Sequence, residues 1–338
     1  MEDISKLTAG SKIGQASSRA ALTALLALTA ALGAVGAHAQ DYPTRTIRII
    51  SPYPPGGNSD GPARLIANQM SPALGQSIVI ENRPGAGGVS AVQEIMRAAP
   101  DGYTLIAADQ GQWAITPALR PGVYDPVAVL APITLLTTAT MYFVVNQNFP
   151  ARNLTEFVAL IKQKPGAYQY GSSGNGTPHH LSMEVFKAGL GLDIGHIPYK
   201  GSAQSTLALL GGQVPIIVAG LASVSQHVKS GQVRLIAQVA PGRIKFTPEV
   251  PSVTEAGLTD YDFQAPLGLF ATAGTPRAAI DKLNAAAIKA LADPTVISRI
   301  EAGGAEPLTS TPEQLGERVR ADVRRYIAAV KVSGAKID

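Results

Sequence analysis

Short apolar runs alternating with longer amphipathic stretches constrain this chain more than any other feature. The first series reads "TIRIIS", "GPARLIANQMSPAL", "SIVIE", "GVSAVQEIMRAA" and "YTLIAAD". A second reads "MYFVVN", "LTEFVALIKQKPG", "YQYGSS", "PHHLSMEVFKAGL", "IGHIPY", "AQSTLALLGG", "PIIVAG" and "ASVSQHVKSG". Apolar, β-branched runs bounded by turn residues predict strands, and the period of the intervening stretches predicts helices. Such alternation predicts an α/β fold with a mainly parallel sheet, and two series predict two α/β lobes. The C-terminal stretches "PRAAIDKLNAAAIKALAD" and "TPEQLGERVRADVRRYIAAVKVSG" read as helices, from their period, Thr/Pro starts and Gly stop.

Each series contains one strand-to-helix connection of the same design. In the first, "TIRIIS" leads through Tyr53, Pro54, Pro55, Gly56, Gly57, Asn58, Ser59 and Asp60 to a helix with Pro62 in its first turn. In the second, "YQYG" leads through Ser172, Ser173, Gly174, Asn175 and Gly176 to a helix that Thr177 can cap and Pro178 can open. Glycine lets bare backbone approach whatever lies above the loop. A helix start adds unpaired N–H donors and the positive end of its dipole, so such a loop suits an anion. In open α/β sheets, ligands sit beyond the carboxyl ends of the strands, where both loops fall. One such turn usually only redirects the chain. Two of matched design set a cleft in which both grip one carboxylate level with the plainer reading, in which each only redirects the chain. Gln110, Gln112 and Trp113 follow "YTLIAAD" at its carboxyl end and are candidates for the same cleft, or for a turn.

Composition narrows the class. With 338 residues, 46% hydrophobic and 15% charged, the chain can bury a substantial core. The N-terminal stretch has Lys6, Lys12 and Arg19, then "AALTALLALTAALGAVGAHA", closing on Ala37-His38-Ala39. That pattern predicts a cleavable export signal cut after Ala39, and the Ala-rich core argues against a retained anchor. Removing it takes away three basic and two acidic residues, so the net charge falls from +4 to +3. With no Lys/Arg run, there is no electrostatic footprint for nucleic acid. The chain has no cysteine, which is neutral with respect to export.

Enzyme signatures are weak. "GSSGNG" departs from the G-x-S-x-G elbow at Asn175, and no Ser/His/acid order stands out. "PPGGNSDG" lacks both the dinucleotide glycine spacing and the phosphate-loop lysine. Asp60 and Arg64, four apart at a helix start, are expected to pair, leaving Arg64 a structural role. His179 and His180 are adjacent, so they cannot form an i, i+4 metal pair. His180 and Glu184 share a face but make too small a ligand set, so packing is the expected role.

The strings "YPPGGNSDGPAR", "LGQSIVIENRPGAGG", "APDGYTL", "YGSSGNGTPHHL", "HIPYKGS", "LLGGQV" and "AGTPRAAIDKLNAA" resemble the Bug-type substrate-binding receptors of tripartite tricarboxylate transporters. The resemblance runs in register from about Tyr42 to the last helix. It implies a two-lobed periplasmic-binding-protein fold: mixed sheets flanked by helices, with a hinge of crossing strands that closes like a flytrap. It places residues 40–140 with 262–338 in one lobe and 141–261 in the other. It also implies that a ligand carboxylate is held by Pro55, Gly56, Gly57 and Asp60 from the first loop and by Ser172, Ser173, Gly174 and Thr177 from the second. Tyr53 and Asn58 of the first loop join these as expected contacts. The implied partners are a small carboxylate and the membrane permease subunits of the transporter; a monomer without cofactor or metal is expected.

Two departures bear on the ligand. The family often ends the strand after "GGQV" with an acid, where this chain has Ala219, and often has Ser-Trp before "GLFATAGTP", where Ala265 and Pro266 stand. Losing the acid disfavours an ammonium group, so the expected ligand is a dicarboxylate or an aromatic carboxylate of terephthalate type. Drift without a change of ligand is the competing reading. A sensor that presents its ligand to a signalling protein, or an exported hydrolase, are the alternative functions.

Overall fold

The computed structural model describes residues 42–55, 59–259 and 261–336. The expected export signal, and Gly56, Gly57 and Asn58 of the first loop, lie outside the described residues. The chain from Arg45 onward forms one unit. It begins β1 (Ile47–Ser51), α1 (Asp60–Leu74), β2 (Ile78–Asn82), α2 (Val89–Arg97) and β3 (Thr104–Asp109). A π-helical turn (Gly111–Ile115) leads to α3 (Thr116–Leu119), α4 (Pro126–Val129) and the long β4 (Leu130–Ala139). Next come β5 (Met141–Asn146), α5 (Leu154–Gln163), β6 (Gln169–Ser172), α6 (Pro178–Leu190) and β7 (Gly195–Pro198). They are followed by α7 (Ser202–Leu210), β8 (Ile216–Gly220), α8 (Leu221–Lys229) and β9 (Val233–Gln238). The chain ends with β10 (Ala265–Thr272), α9 (Arg277–Leu291), α10 (Pro294–Ala302), β11 (Ala305–Pro307) and α11 (Pro312–Ser333).

Two sheets result. The first has strand order β11-β4-β10-β3-β1-β2 and the second β7-β6-β8-β5-β9. The strand-helix alternation is right where it predicts parallel neighbours: β1 pairs in parallel with β2 and β3, and β6 with β7 and β8. It does not foresee the antiparallel members. β10 runs against β3 and β4, and β5 against β8 and β9, so both sheets are mixed. These strands enter from the crossings. Only Thr140 separates β4 in the first sheet from β5 in the second, and residues 239–264 make the return passage to β10.

One apolar core cluster spans the two sheets, holding Ile50, Ile106 and Phe270 together with Phe143, Val218 and Phe186. The fully buried Trp113 meets Phe270 at 5.5 Å between ring centroids. Each fully buried aromatic of this size contributes on the order of 2–3 kcal/mol. The return passage is fastened on both sides. Tyr261 donates its hydroxyl to the Ser182 carbonyl of α6 at 2.6 Å, and Phe263 meets Tyr326 of α11 edge-on at 5.3 Å. α11 also packs directly on α6.

Candidate ligand site at two helix starts

The first loop leaves β1 at Ser51 and leads to α1. Its Asp60 is 2% exposed and is held by Arg64 Nε at 2.9 Å and by Asn82 Nδ2 at 2.7 Å. Asn82, at the end of the neighbouring strand, also donates to the Tyr53 carbonyl at 2.8 Å and accepts from Arg64 at 2.7 Å. The expected Asp60–Arg64 pair is therefore present, with Asn82 bracing it to both ends of the loop. An acid in the first turn also complements the helix dipole.

The Tyr53 side chain turns the other way. Its hydroxyl donates to Asp109 Oδ2 at 2.7 Å, while the Gly111 amide donates to Asp109 Oδ1 at 2.8 Å. The Gln112 side chain accepts from the Asp109 amide at 3.0 Å. Burial raises the Asp109 carboxyl above its ordinary value, against the lowering by its bonds from Tyr53 and Gly111. Burial, with Asp109 nearby, raises the Tyr53 phenol well above its own. Tyr53 is thus a neutral donor committed to Asp109.

Gln110 and Gln112 sit at the carboxyl end of β3 as expected, but their amides are engaged within the protein. Gln110 Nε2 donates to the Gln264 carbonyl of the return passage, and Gln264 Nε2 donates to Thr140 Oγ1 at 3.1 Å. Gln110 therefore ties the end of β3 to both crossings. Gln112 lies under Gly88, whose φ of +87° excludes most residues; a Cβ there would fall 2.5 Å from Gln112 Nε2.

The second loop is ordered by its own side chains. Thr177 caps α6 by accepting from the His180 amide, and its hydroxyl donates to the Gly174 carbonyl at 2.8 Å. Ser172, with no exposed surface, accepts from the Gly174 amide at 3.1 Å and lies 2.7 Å from His196 Nε2. Ser173 Oγ lies 2.8 Å from His179 Nδ1, and the Gly176 amide donates to His180 Nδ1 at 3.1 Å. Burial pushes His179 and His196 down to about 4 and lowers His180, so all three are neutral near pH 7. Gly176 also faces the other half of the fold: a Cβ placed on it would lie 2.8 Å from Leu119 Cδ1 of α3.

The structure thus gathers Tyr53, Asp60 and Gln112 around the first loop through Asp109 and Asn82, and Ser172, Ser173, Gly174 and Thr177 into the second. Pro55 is exposed beside the undescribed part of the first loop. Ala265 opens β10 opposite Ala139, next to Gln264. Ala219 belongs to an apolar cluster with Tyr142, Ile217 and Val224 and has no exposed surface. An acid at this position would be desolvated among hydrocarbon side chains. Sequence reasoning missed Asp109, Asn82 and His196. The position of Asp109 at the end of a strand was the one available signal.

Two mixed α/β sheets joined by crossing strands, each presenting a strand-to-helix loop, define a two-lobed solute-binding receptor. The family model for the tripartite tricarboxylate transporter family receptor matches residues 62–334, and the chain belongs to that family. Protein BugT of Bordetella pertussis is 32% identical over 301 residues, covering 88% of this chain and 92% of that protein. The structure of MatC from Rhodopseudomonas palustris with bound malate is similar at TM-score 0.68 and 33% identity, covering 86% of this chain and 100% of that one. That of Rpa4515 from R. palustris with adipate is similar at TM-score 0.72 and 29% identity, covering 87% of this chain and 99% of that one. The chain is a receptor of this kind and not an enzyme.

Proposed function

We propose that this receptor works in the periplasm, captures a small dicarboxylate or aromatic carboxylate between its two loops, and delivers it to the permease of a tripartite tricarboxylate transporter. The observation that carries the reading is the matched pair of helix starts, α1 and α6, where the Asp60, Ser172, Ser173 and Thr177 side chains brace their own loops. What remains for a ligand is uncharged backbone at two positive helix ends, which suits a carboxylate that must later be released. The contacts assigned are Tyr53, Pro55, Gly56, Gly57, Asn58 and Asp60 on one side and Ser172, Ser173, Gly174 and Thr177 on the other. Gln110 and Gln112 support them from behind. The lobes would divide as 40–140 with 262–338 and 141–261, with Thr140 and the return passage as hinge. Among the described residues no helix is long and apolar enough to cross a membrane. Export would follow cleavage after Ala39.

Malate and adipate, bound by two relatives, are both dicarboxylates, and this supports the ligand class. The test is titration calorimetry of the mature chain with malate, adipate, terephthalate, aspartate and glutamate. Heat is expected from one or more of the first three. Binding of the amino acids alone would overturn the ligand assignment.

A further inference from the structure

Three of the chain's five histidines gather behind the second loop. His180 and His196 stack with ring centroids 4.0 Å apart and planes 11° apart, and His196 stacks in turn on Tyr170 at 4.8 Å. The parallel register of β6 and β7 creates the column, because Tyr170 lies opposite His196 and Ser172 opposite Pro198. The Gly176 amide can donate to His180 Nδ1 only while that nitrogen carries no proton, which fixes the His180 proton on Nε2. Gly176 is thus held on two sides, its N–H by the imidazole and its Cα against Leu119 of α3.

The groups acting on the stacked pair come from each element around it. α6 contributes Glu184 and Lys187, paired at 2.7 Å, and β6 contributes Tyr170, whose hydroxyl donates to Glu184 at 2.6 Å. Tyr261 of the return passage acts on Tyr170. Glu184 favours a charged imidazole, whereas burial, Lys187 and the neighbouring ring oppose it. A proton added at His180 Nδ1 would set two N–H groups face to face and leave Gly176 without its acceptor.

We propose that His180 is a positioning residue for the second loop: its Nδ1 holds the Gly176 N–H, and protonating the stacked His180–His196 pair frees the loop and weakens the grip on ligand. The ligand clause rests on the carboxylate-receptor reading above; the loop clause does not.

The experiment measures amide hydrogen exchange at Gly176 in the ligand-free mature chain from pH 7.5 to pH 4, corrected for intrinsic rate. Calorimetric titration with malate, adipate and terephthalate runs alongside. Wild-type protection at Gly176 is expected to fall at least tenfold across that range. His180→Asn, whose side-chain oxygen can replace Nδ1 as acceptor, is expected to keep protection and lose the pH dependence. His180→Phe, which retains a stacked ring without an acceptor, is expected to lose protection at every pH and to bind any active probe at least tenfold more weakly. Wild-type protection in His180→Phe, or an unchanged pH profile in His180→Asn, overturns the proposal. If none of the three binds the wild type, the carboxylate reading fails, and the exchange profiles alone decide for or against the role of His180.

Discussion

Asp322 is the side chain whose removal has the most calculable consequence. It has no exposed surface and accepts from Trp113 Nε1 at 3.0 Å and from Arg318 Nε at 2.9 Å, with Arg325 as a third partner. Arg318 reaches on to Asp262 of the return passage at 2.8 Å. The cluster therefore joins α11, the π-helical turn below the first loop and one of the crossings. Removing one partner of a buried ion pair costs about 3–5 kcal/mol, because the remaining charge stays desolvated. Arg318 keeps Asp262, and Arg325 is 21% exposed and can turn to water, so Asp322→Ala belongs at the lower end, about 3 kcal/mol. For a chain of this size that is a fall in melting temperature of roughly 4–6 °C. The assay is thermal unfolding followed by circular dichroism and by fluorescence. Trp113 is the chain's only tryptophan, so its emission reports this cluster directly. A drop below 2 °C with unchanged Trp113 emission would refute the argument that Asp322 anchors the turn.

Three further outcomes follow from the same geometry. Thr177→Ala removes the cap of α6 and should cost about 1 kcal/mol in urea unfolding, with Thr177→Ser restoring most of it. Gly88→Ala adds a side chain at a left-handed position, costing about 1–2 kcal/mol, and must displace Gln112; lower melting temperature and weaker malate or adipate binding are expected together. Acidification should destabilise the fold, because His179 and His196 are held at about 4 in the folded state against 6.5 ordinarily. The unfolded chain then binds more protons between pH 6.5 and 4, and stability falls by up to about 1.4 kcal/mol per pH unit for each imidazole. Glu255, held at about 2 chiefly by its bond from Arg243, contributes stability above 4.5 that is lost on going down to 2. Melting temperatures at half-unit steps separate the two windows, and a flat profile from pH 6.5 to 4 contradicts the histidine assignment.

Local pattern made much of this fold legible. "PHHLSMEVFKAGL" coincides with α6, and Thr177 caps it as its side chain and position foretold. The Asp60–Arg64 pair follows from spacing alone. β4 was not foreseen: Ile133 to Thr138 are buried in succession, so no alternation marks a face. The roles of Gln110 and Gln112 also escaped local reasoning. Their place at the end of β3 was readable, but Gln110 binds a carbonyl 154 residues away. Likewise, His196 reaches the second loop only through the β6–β7 register. Ala219 shows the limit of position-by-position comparison, since what its methyl touches depends on how the adjoining helices cover β8.

The passage from β4 to β5 through Thr140 has no slack. Any reorientation of one sheet against the other would have to be absorbed by a few backbone torsions there, together with the longer return passage. Paired spin labels flanking this junction, one on each sheet, would therefore register an angular change with little translation. Splicing a flexible insert after Thr140 would remove that constraint and uncouple the movement of the halves while leaving their separate hydrogen-bond ladders in place.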